Sequence, residues 1–150
     1  MVIRMNEEVE FLEYIYQNAK MGIESIGRLI KSRNKDDKLE QIFKEQLHDY
    51  TKIANSARGM LKRRNKETKE IGVMSKIATY MTIKMNLSKE NPDKEAVDMV
   101  IKGSQMGIEQ ITKHLKDYRI KSKTVINLAN RLISIEEKNL TKLVNEIKKV

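Results

Sequence analysis

The sequence predicts an all-α protein, a four-helix bundle built from two helical hairpins. Two segments share one phrase, Met21-Gly22-Ile23-Glu24 and Met106-Gly107-Ile108-Glu109. Each lies midway along a long amphipathic stretch that is followed by a second stretch of similar length, as in a bundle with an internal repeat. The composition agrees with this prediction, because the chain is 34% charged and holds one Pro, six Gly, two Phe and no Trp.

The first hairpin is predicted to consist of helices over about 6–32 and 36–65. Asn6 is a suitable N-cap with glutamates after it, and Asp36 and Asp37 open the second helix after a short polar turn. Apolar residues recur at three-and-four spacing along both helices, which is typical of a buried face. In the second helix this face is predicted to hold Leu39, Ile42, Phe43, Gln46, Tyr50, Ile53, Ala57 and Leu61.

A shorter amphipathic segment over about 68–86 is interpreted as a helical crossover between the hairpins, which returns the chain to the starting end of the bundle. It leads into the strongest break, around Pro92. Asn91 is expected to cap the next helix, with Pro92 at its first position, over about 92–118. The last helix is predicted over about 122–148, and residues 1–150 are expected to form one domain.

Composition and charge exclude several classes of function. Without Cys there can be no disulfide, thiolate metal site or cysteine nucleophile. No apolar run approaches a membrane span and no signal peptide is visible, so we expect a cytoplasmic protein without a membrane partner. The net charge is +9, but basic residues are interleaved with acidic ones, and the one cluster, 62–66 with Lys69 nearby, also suits a helix C-terminus. Binding to nucleic acid is therefore not favoured but stays open.

Two hairpins joined by a crossover resemble the ferritin-like superfamily, including rubrerythrins and small bacterial bundles, and the resemblance covers essentially the whole chain. It implies a di-iron site at the centre of the bundle, with one Glu on each of two helices and Glu-x-x-His on each of the others. Carboxylate oxygens would bridge the two cations and imidazoles would complete the ligand shells.

One fragment has the required spacing, Glu45-Gln46-Leu47-His48. At about 100° per residue, Gln46 lies near the centre of the apolar face of its helix, whereas Glu45 lies roughly 120° and His48 roughly 180° away from it. His48 is therefore predicted to point into solvent, and Glu45 and His48 are kept only as alternative metal ligands.

The predicted central layer is short of metal ligands. Its inward residues are Ala19, Gln46, Ser104 and Glu136, with Asp49 and Asn139 at its edges. One inward carboxylate and no inward His cannot hold two metal ions. We therefore predict a buried polar layer in which Glu136 hydrogen-bonds Gln46 and Ser104 and fixes the register of the helices. No cofactor is expected, and iron or manganese at Glu136 is the alternative.

Two matched pairs of apolar residues are predicted to lie on the outer side of the first helix of each hairpin. They are Tyr14 with Met21 and Met99 with Met106. Exposed apolar residues at equivalent places indicate a contact surface, and flexible Met side chains suit one. The surface would serve a homo-oligomer or another protein. His114 also lies off its apolar face, with no partner that the sequence identifies.

These patterns favour a non-catalytic ferritin-like bundle that acts as a structural or protein-interaction module. The first alternative is a metal-binding oxidoreductase or iron-handling protein, indicated by the fold resemblance. The second is a basic bundle that associates with DNA, indicated by the charge and the cluster at 62–66. No substrate, partner or pathway follows from the sequence.

Overall fold

A computed structural model describes residues 2–66 and 91–149, which form four α-helices and contain no strand. They are α1 (Val2–Arg33), α2 (Lys38–Arg63), α3 (Pro92–Asp117) and α4 (Lys123–Ile147). The predicted all-α bundle of two hairpins is confirmed. No helix of this described part is both long and apolar enough to cross a membrane.

The first helix begins earlier than the sequence indicates. It starts at Val2, so Asn6 lies inside the helix and the predicted N-cap at this residue is wrong. No Pro or Gly stands between Val2 and Asn6, and nothing in the backbone prevents the helical hydrogen bonds from continuing there.

The other helix ends follow local capping chemistry. The Asp37 side chain accepts a hydrogen bond from the Glu40 amide at 2.9 Å, and Asn91 accepts one from the Lys94 amide at 3.3 Å. α2 ends with Asn65 in the left-handed region at φ 58°, while the amide of Lys66 donates to the Leu61 carbonyl. This is a Schellman-type stop, in which Asn takes the place of the usual Gly.

Contacts between side chains of different helices show the directions in which the helices run. Arg33 at the end of α1 contacts Asp93 at the start of α3, and Tyr118 beyond α3 contacts Glu10 near the start of α1, so α1 and α3 are antiparallel. α2 and α4 are also antiparallel, because Lys142 pairs with Glu45 while Glu136 meets Tyr50. Going around the bundle, the order is α1, α2, α4, α3.

α2 ends and α3 begins at opposite ends of the bundle. Arg64, just past α2, pairs with Glu8 near the start of α1, whereas Asp93 lies beside Arg33 at the other end. A long connection between the hairpins is required by these positions. The crossover helix predicted over about 68–86 lies outside the described residues.

The core runs along the whole bundle and is filled mainly by aliphatic side chains and two Phe rings. The buried face of α1 is wide. Ile23 and Ile30 are only half-buried, while Met21 and Leu29 are buried, because α1 packs against both α2 and α3 and so covers two sides. The largest fully buried apolar side chains are Phe11, Leu12, Ile15, Ile26, Phe43, Ile53, Leu61, Ile111, Leu128, Leu132 and Leu143.

Candidate functional site

A buried polar layer crosses the middle of the bundle, and its centre is a tyrosine–glutamate pair. The Tyr50 hydroxyl of α2 donates a hydrogen bond to Glu136 Oε1 of α4 at 3.0 Å. Ser104 of α3 lies beside the Tyr50 side chain. All three residues are buried, with 4% or less of their surface exposed. The tyrosine–glutamate hydrogen bond therefore joins α2 to α4, with a buried hydroxyl group of α3 beside it.

The two glycines of the repeated phrase make room for this pair. A Cβ atom on Gly22 would lie 2.6 Å from the Tyr50 ring, and one on Gly107 would lie 2.6 Å from Glu136 Oε1. Such distances are shorter than van der Waals contact permits, so both positions need a residue without a side chain. The repeat thus has a physical reason: each glycine faces a large side chain on the following helix of its own hairpin.

Burial changes the ionisation of this pair. Removal of Glu136 from water raises its pKa to about 8, although the hydrogen bond from Tyr50 acts in the opposite direction. Desolvation, followed by the nearby Glu136 carboxylate, raises the pKa of Tyr50 well above its ordinary value of 10. Near neutral pH the Glu136 carboxyl is therefore mainly protonated and Tyr50 is fully protonated.

A cavity of about 40 Å³ lies beside the pair, between α1 and α3. Its polar lining comes from Tyr50, Glu136, Ser104 and two further buried residues on α1, Asn18 and Ser25. Asn18 Nδ2 donates to the Gly107 carbonyl at 3.5 Å, whereas Glu136 Oε2 is buried without a hydrogen-bond partner. A cavity of this size accommodates molecules of the size of water.

The residues predicted for the central layer are partly placed as expected. Gln46, Ser104 and Glu136 are all buried. The predicted hydrogen bond between Gln46 and Glu136 is absent, and neither side-chain polar atom of Gln46 has a partner. Tyr50 takes the place of Gln46 because it lies about one helical turn further along the same face, and its longer side chain reaches across the core. The sequence predicts Tyr50 on this buried face, but it does not show that the Tyr50 hydroxyl would bind Glu136.

The described residues do not assemble the site that the ferritin-like resemblance implies. Glu45 and His48 are exposed on α2, whereas Glu136 is buried. Glu45 forms an ion pair with Lys142. Across residues 2–66 and 91–149, no group of three or more His, Asp or Glu side chains could hold a metal ion. One carboxyl with hydroxyl and amide neighbours does not fit a pair of divalent iron ions.

The predicted outer pairs of apolar residues do not form one exposed surface. Met21 and Met99 are buried in the core, which makes this part of the prediction wrong, while Tyr14 and Met106 are half-buried. Met21 lies where α1 packs against α3, since it lines the cavity together with Val100 and Gly103 of α3. Only Tyr14 and Met106 retain surface for an external contact.

Tyr14 belongs to an aromatic cluster that the sequence did not reveal. Its ring stacks on His114 with centroids 4.0 Å apart, and the His114 ring lies 5.5 Å from the Tyr118 ring. The Phe11 ring packs edge-on against Tyr118, with centroids 6.0 Å apart. Tyr118 donates to Glu10 at 3.0 Å. Partial burial lowers the pKa of His114, so the ring is neutral near pH 7. The three residues Tyr14, His114 and Tyr118 are half-buried, and we call them the aromatic surface cluster.

The basic cluster at 62–66 is only partly available to a partner. Lys62, Arg63 and Lys66 are exposed, but Arg64 pairs with Glu8 at 3.3 Å and donates to the Met60 carbonyl. Glu8 also accepts from the Ser122 amide. The glutamates near the start of α1 therefore bind the ends of other helices. Lys69 lies outside the described residues.

Comparison with known proteins identifies the fold and no family. The chain is similar to the crystal structure of a DUF305 fragment from Deinococcus radiodurans, with a TM-score of 0.78 over 96% of this chain and 97% of that chain. The two sequences are 12% identical, so the similarity establishes the four-helix fold alone. No protein-family model matches the sequence. No curated protein matches it either.

Proposed function

We propose that this chain is a non-catalytic, ferritin-like helical bundle that acts as a structural or protein-interaction module. The observation that carries the proposal is the Tyr50–Glu136 hydrogen bond at the centre of the bundle. At the level where a ferritin-like protein would hold its metals, this chain has a tyrosine, a largely protonated glutamic acid and two glycines that fit against them. Such a layer fixes the register of the helices.

Two further features support the proposal. The direction of the helices requires a long connection between α2 and α3, as in ferritin-like bundles. The aromatic surface cluster offers rings with part of their surface exposed, and such residues are enriched where proteins contact one another. Tyr14, one of the two predicted contact residues that retain exposure, lies in this cluster.

The test is to purify the untagged protein without chelators and to measure its metal content together with its solution mass. We expect less than about a tenth of an iron or manganese ion per chain, since one buried carboxyl with no His does not retain such an ion. Stoichiometric metal lost in the variant Glu136→Gln would favour the metal-binding alternative instead. Retention on DNA that weakens steeply with salt, and weakens further in Lys62→Ala/Arg63→Ala, would favour the DNA-associating alternative.

The interaction part is tested by comparing copurifying proteins and solution mass for the wild type and for Tyr14→Ser. Lys142→Ser, a change on a different face, is the matched control. We expect loss of a specific partner or of self-association with Tyr14→Ser alone. If all three proteins were monomeric and copurified with no partner, this result would contradict the interaction role.

A further inference from the structure

The buried carboxyl of Glu136 has one oxygen without any hydrogen-bond partner. Oε1 accepts from Tyr50, but Oε2 is shielded from solvent and unpartnered, and the residue lines the central cavity. A carboxyl group in such surroundings either keeps a proton or binds a positive charge. Among the described residues that line the cavity there is no Lys, Arg or His, so none of them supplies a cation to Glu136.

The remaining lining is rich in oxygen atoms that can contact a cation. Hydroxyl groups come from Ser25, Tyr50 and Ser104, on three different helices, and an amide oxygen comes from Asn18. The Asn18 nitrogen is directed to the Gly107 carbonyl, which leaves its oxygen available. Oxygen atoms from hydroxyl, amide and carboxyl groups are the ligands that hard, weakly polarising cations take in proteins.

The volume of the cavity and the charge of the Glu136 carboxylate indicate which class of ligand fits there. About 40 Å³ admits a particle of the size of water, and ammonium and potassium ions are close to that size. One carboxylate balances one positive charge, whereas a divalent ion would leave a net charge buried in the core. We propose that the central cavity binds one water-sized monovalent cation, ammonium or potassium, through Glu136 Oε2 and the surrounding oxygen atoms. This site is separate from the proposed interaction surface.

Binding is coupled to the loss of a proton. The ion requires the carboxylate form of Glu136, so the cation replaces the carboxyl proton, and affinity rises with pH through the range in which Glu136 ionises. Tyr50, from α2, is the other titratable group in the lining and stays protonated; the described lining residues of α1 and α3 contain none.

The experiment is thermal unfolding of the full chain in chloride salts of ammonium, potassium, sodium and tetramethylammonium at equal ionic strength, near pH 6 and near pH 8.5. We expect ammonium or potassium to raise the Tm by about 3 °C relative to tetramethylammonium at the higher pH, when the salt is at roughly ten times its dissociation constant. At the lower pH the difference should disappear. The comparison of ammonium with potassium identifies which ion the cavity prefers.

Two variants test whether the stabilisation by the cation depends on Glu136. Glu136→Gln keeps the shape of the side chain and the acceptor for Tyr50, and it should remove the cation effect while remaining folded. Glu45→Gln, on the exposed face of α2, should retain the effect. A second readout is the pKa of Glu136 measured by NMR with a ¹³C-labelled carboxyl, which should fall in ammonium or potassium because the ion competes with the proton.

Three results would overturn the proposal. The Tm and the NMR-measured pKa of Glu136 could be the same in all four salts, which means that the cavity contains water only. The salt effect could persist in Glu136→Gln, which means that it arises elsewhere on the protein. Manganese or iron could stabilise the wild type more than either monovalent ion and depend on Glu136, which would assign the site to a divalent metal.

Discussion

Gly107 and Glu136 lie so close together that a Cβ atom on Gly107 would be 2.6 Å from Glu136 Oε1 and 2.9 Å from Oε2. The corresponding glycine of the first hairpin, Gly22, has the same relationship to Tyr50. Tyr50 and Glu136 in turn hydrogen-bond each other. The repeated phrase of the sequence therefore marks the two places where a helix backbone makes room for the central pair.

Replacing Gly22 by Ala should destabilise the protein. Ala has the higher helix propensity by about 1 kcal/mol, but its methyl group would press into the buried Tyr50 ring, and overpacking of this kind costs about 1–3 kcal/mol. We expect a net loss of about 1 kcal/mol in the free energy of unfolding, measured by urea denaturation.

Gly27 and Gly59 provide matched controls for this change. Both lie within helices, and a Cβ atom on either would have no neighbour within 4 Å. Gly27→Ala and Gly59→Ala should each stabilise the protein by about 0.5–1 kcal/mol. If Gly22→Ala were stabilising by the same amount, the close contact with Tyr50 would not exist in solution.

Stability should decrease as the pH rises from about 4.5 to about 8. Glu136 has a pKa of about 8 in the folded protein and an ordinary value of 4.5 when unfolded. The folded state therefore binds the proton more tightly, and the stability that this provides is complete below pH 4.5 and is lost as the pH passes through 8. Integrated over this range, the loss is at most roughly 5 kcal/mol.

The measurement is urea denaturation across this pH range for the wild type and for Glu136→Gln. The decrease that depends on Glu136 should be missing from the variant, because Gln carries no proton to lose. Parallel curves for the two proteins would show that Glu136 ionises at its ordinary pKa and is exposed to water.

Removal of one partner of the central pair should cost more than removal of both. Glu136→Leu leaves the buried Tyr50 hydroxyl without its acceptor, and we expect a loss of about 1–3 kcal/mol. The double variant Glu136→Leu/Tyr50→Phe removes both polar groups and should recover part of that loss. A double-mutant cycle by urea denaturation gives the coupling energy, and a value near zero would contradict the hydrogen bond.

The ion pairs of Arg33 should matter more than those on the surface. Its guanidinium contacts Asp37, Glu40 and Asp93, and so joins the ends of α1, α2 and α3, with only 5% of its side chain exposed. Arg33→Met should lower the free energy of unfolding by about 2 kcal/mol, because Glu40 would lose its partner and Asp93 would keep only the longer pair with Lys35 at 3.7 Å. Lys142→Met, which breaks the exposed pair with Glu45, should cost less than about 0.5 kcal/mol. Equal losses for the two variants would contradict the distinction.

Met21 and Met106 should respond differently to the same substitution. Met21→Lys places an ammonium group in the core, so it should destabilise the fold by several kcal/mol, as judged by circular dichroism and urea denaturation. Met106→Lys, at a half-buried position, should leave the fold intact. A lower solution mass for Met106→Lys than for the wild type would show that this side contacts another chain, and a folded Met21→Lys protein would contradict the burial of Met21.

The sequence alone was sufficient for the four helices that the structure describes and for the plan of the bundle. Three-and-four periodicity, the caps at Asp37 and Asn91 and the break at Pro92 are local signals, and the structure has its helix starts at these two caps. The start of α1 was predicted less accurately. Asn can occupy either the N-cap or a position inside a helix, and no Pro or Gly before Asn6 ends the helix there. Gln46, Ser104 and Glu136 could be recognised as inward polar residues since each interrupts an apolar face.

What the tertiary structure decided is which side chains meet. Tyr50 reaches Glu136 because α2 and α4 are antiparallel neighbours, and His114 stacks on Tyr14 because α3 lies beside α1. Met21 is buried because the side of α1 that a single helical wheel shows as outer packs against α3. Periodicity assigns each residue a direction about its own helix axis, whereas contact also depends on the rotation, order and spacing of the helices, which long-range packing determines.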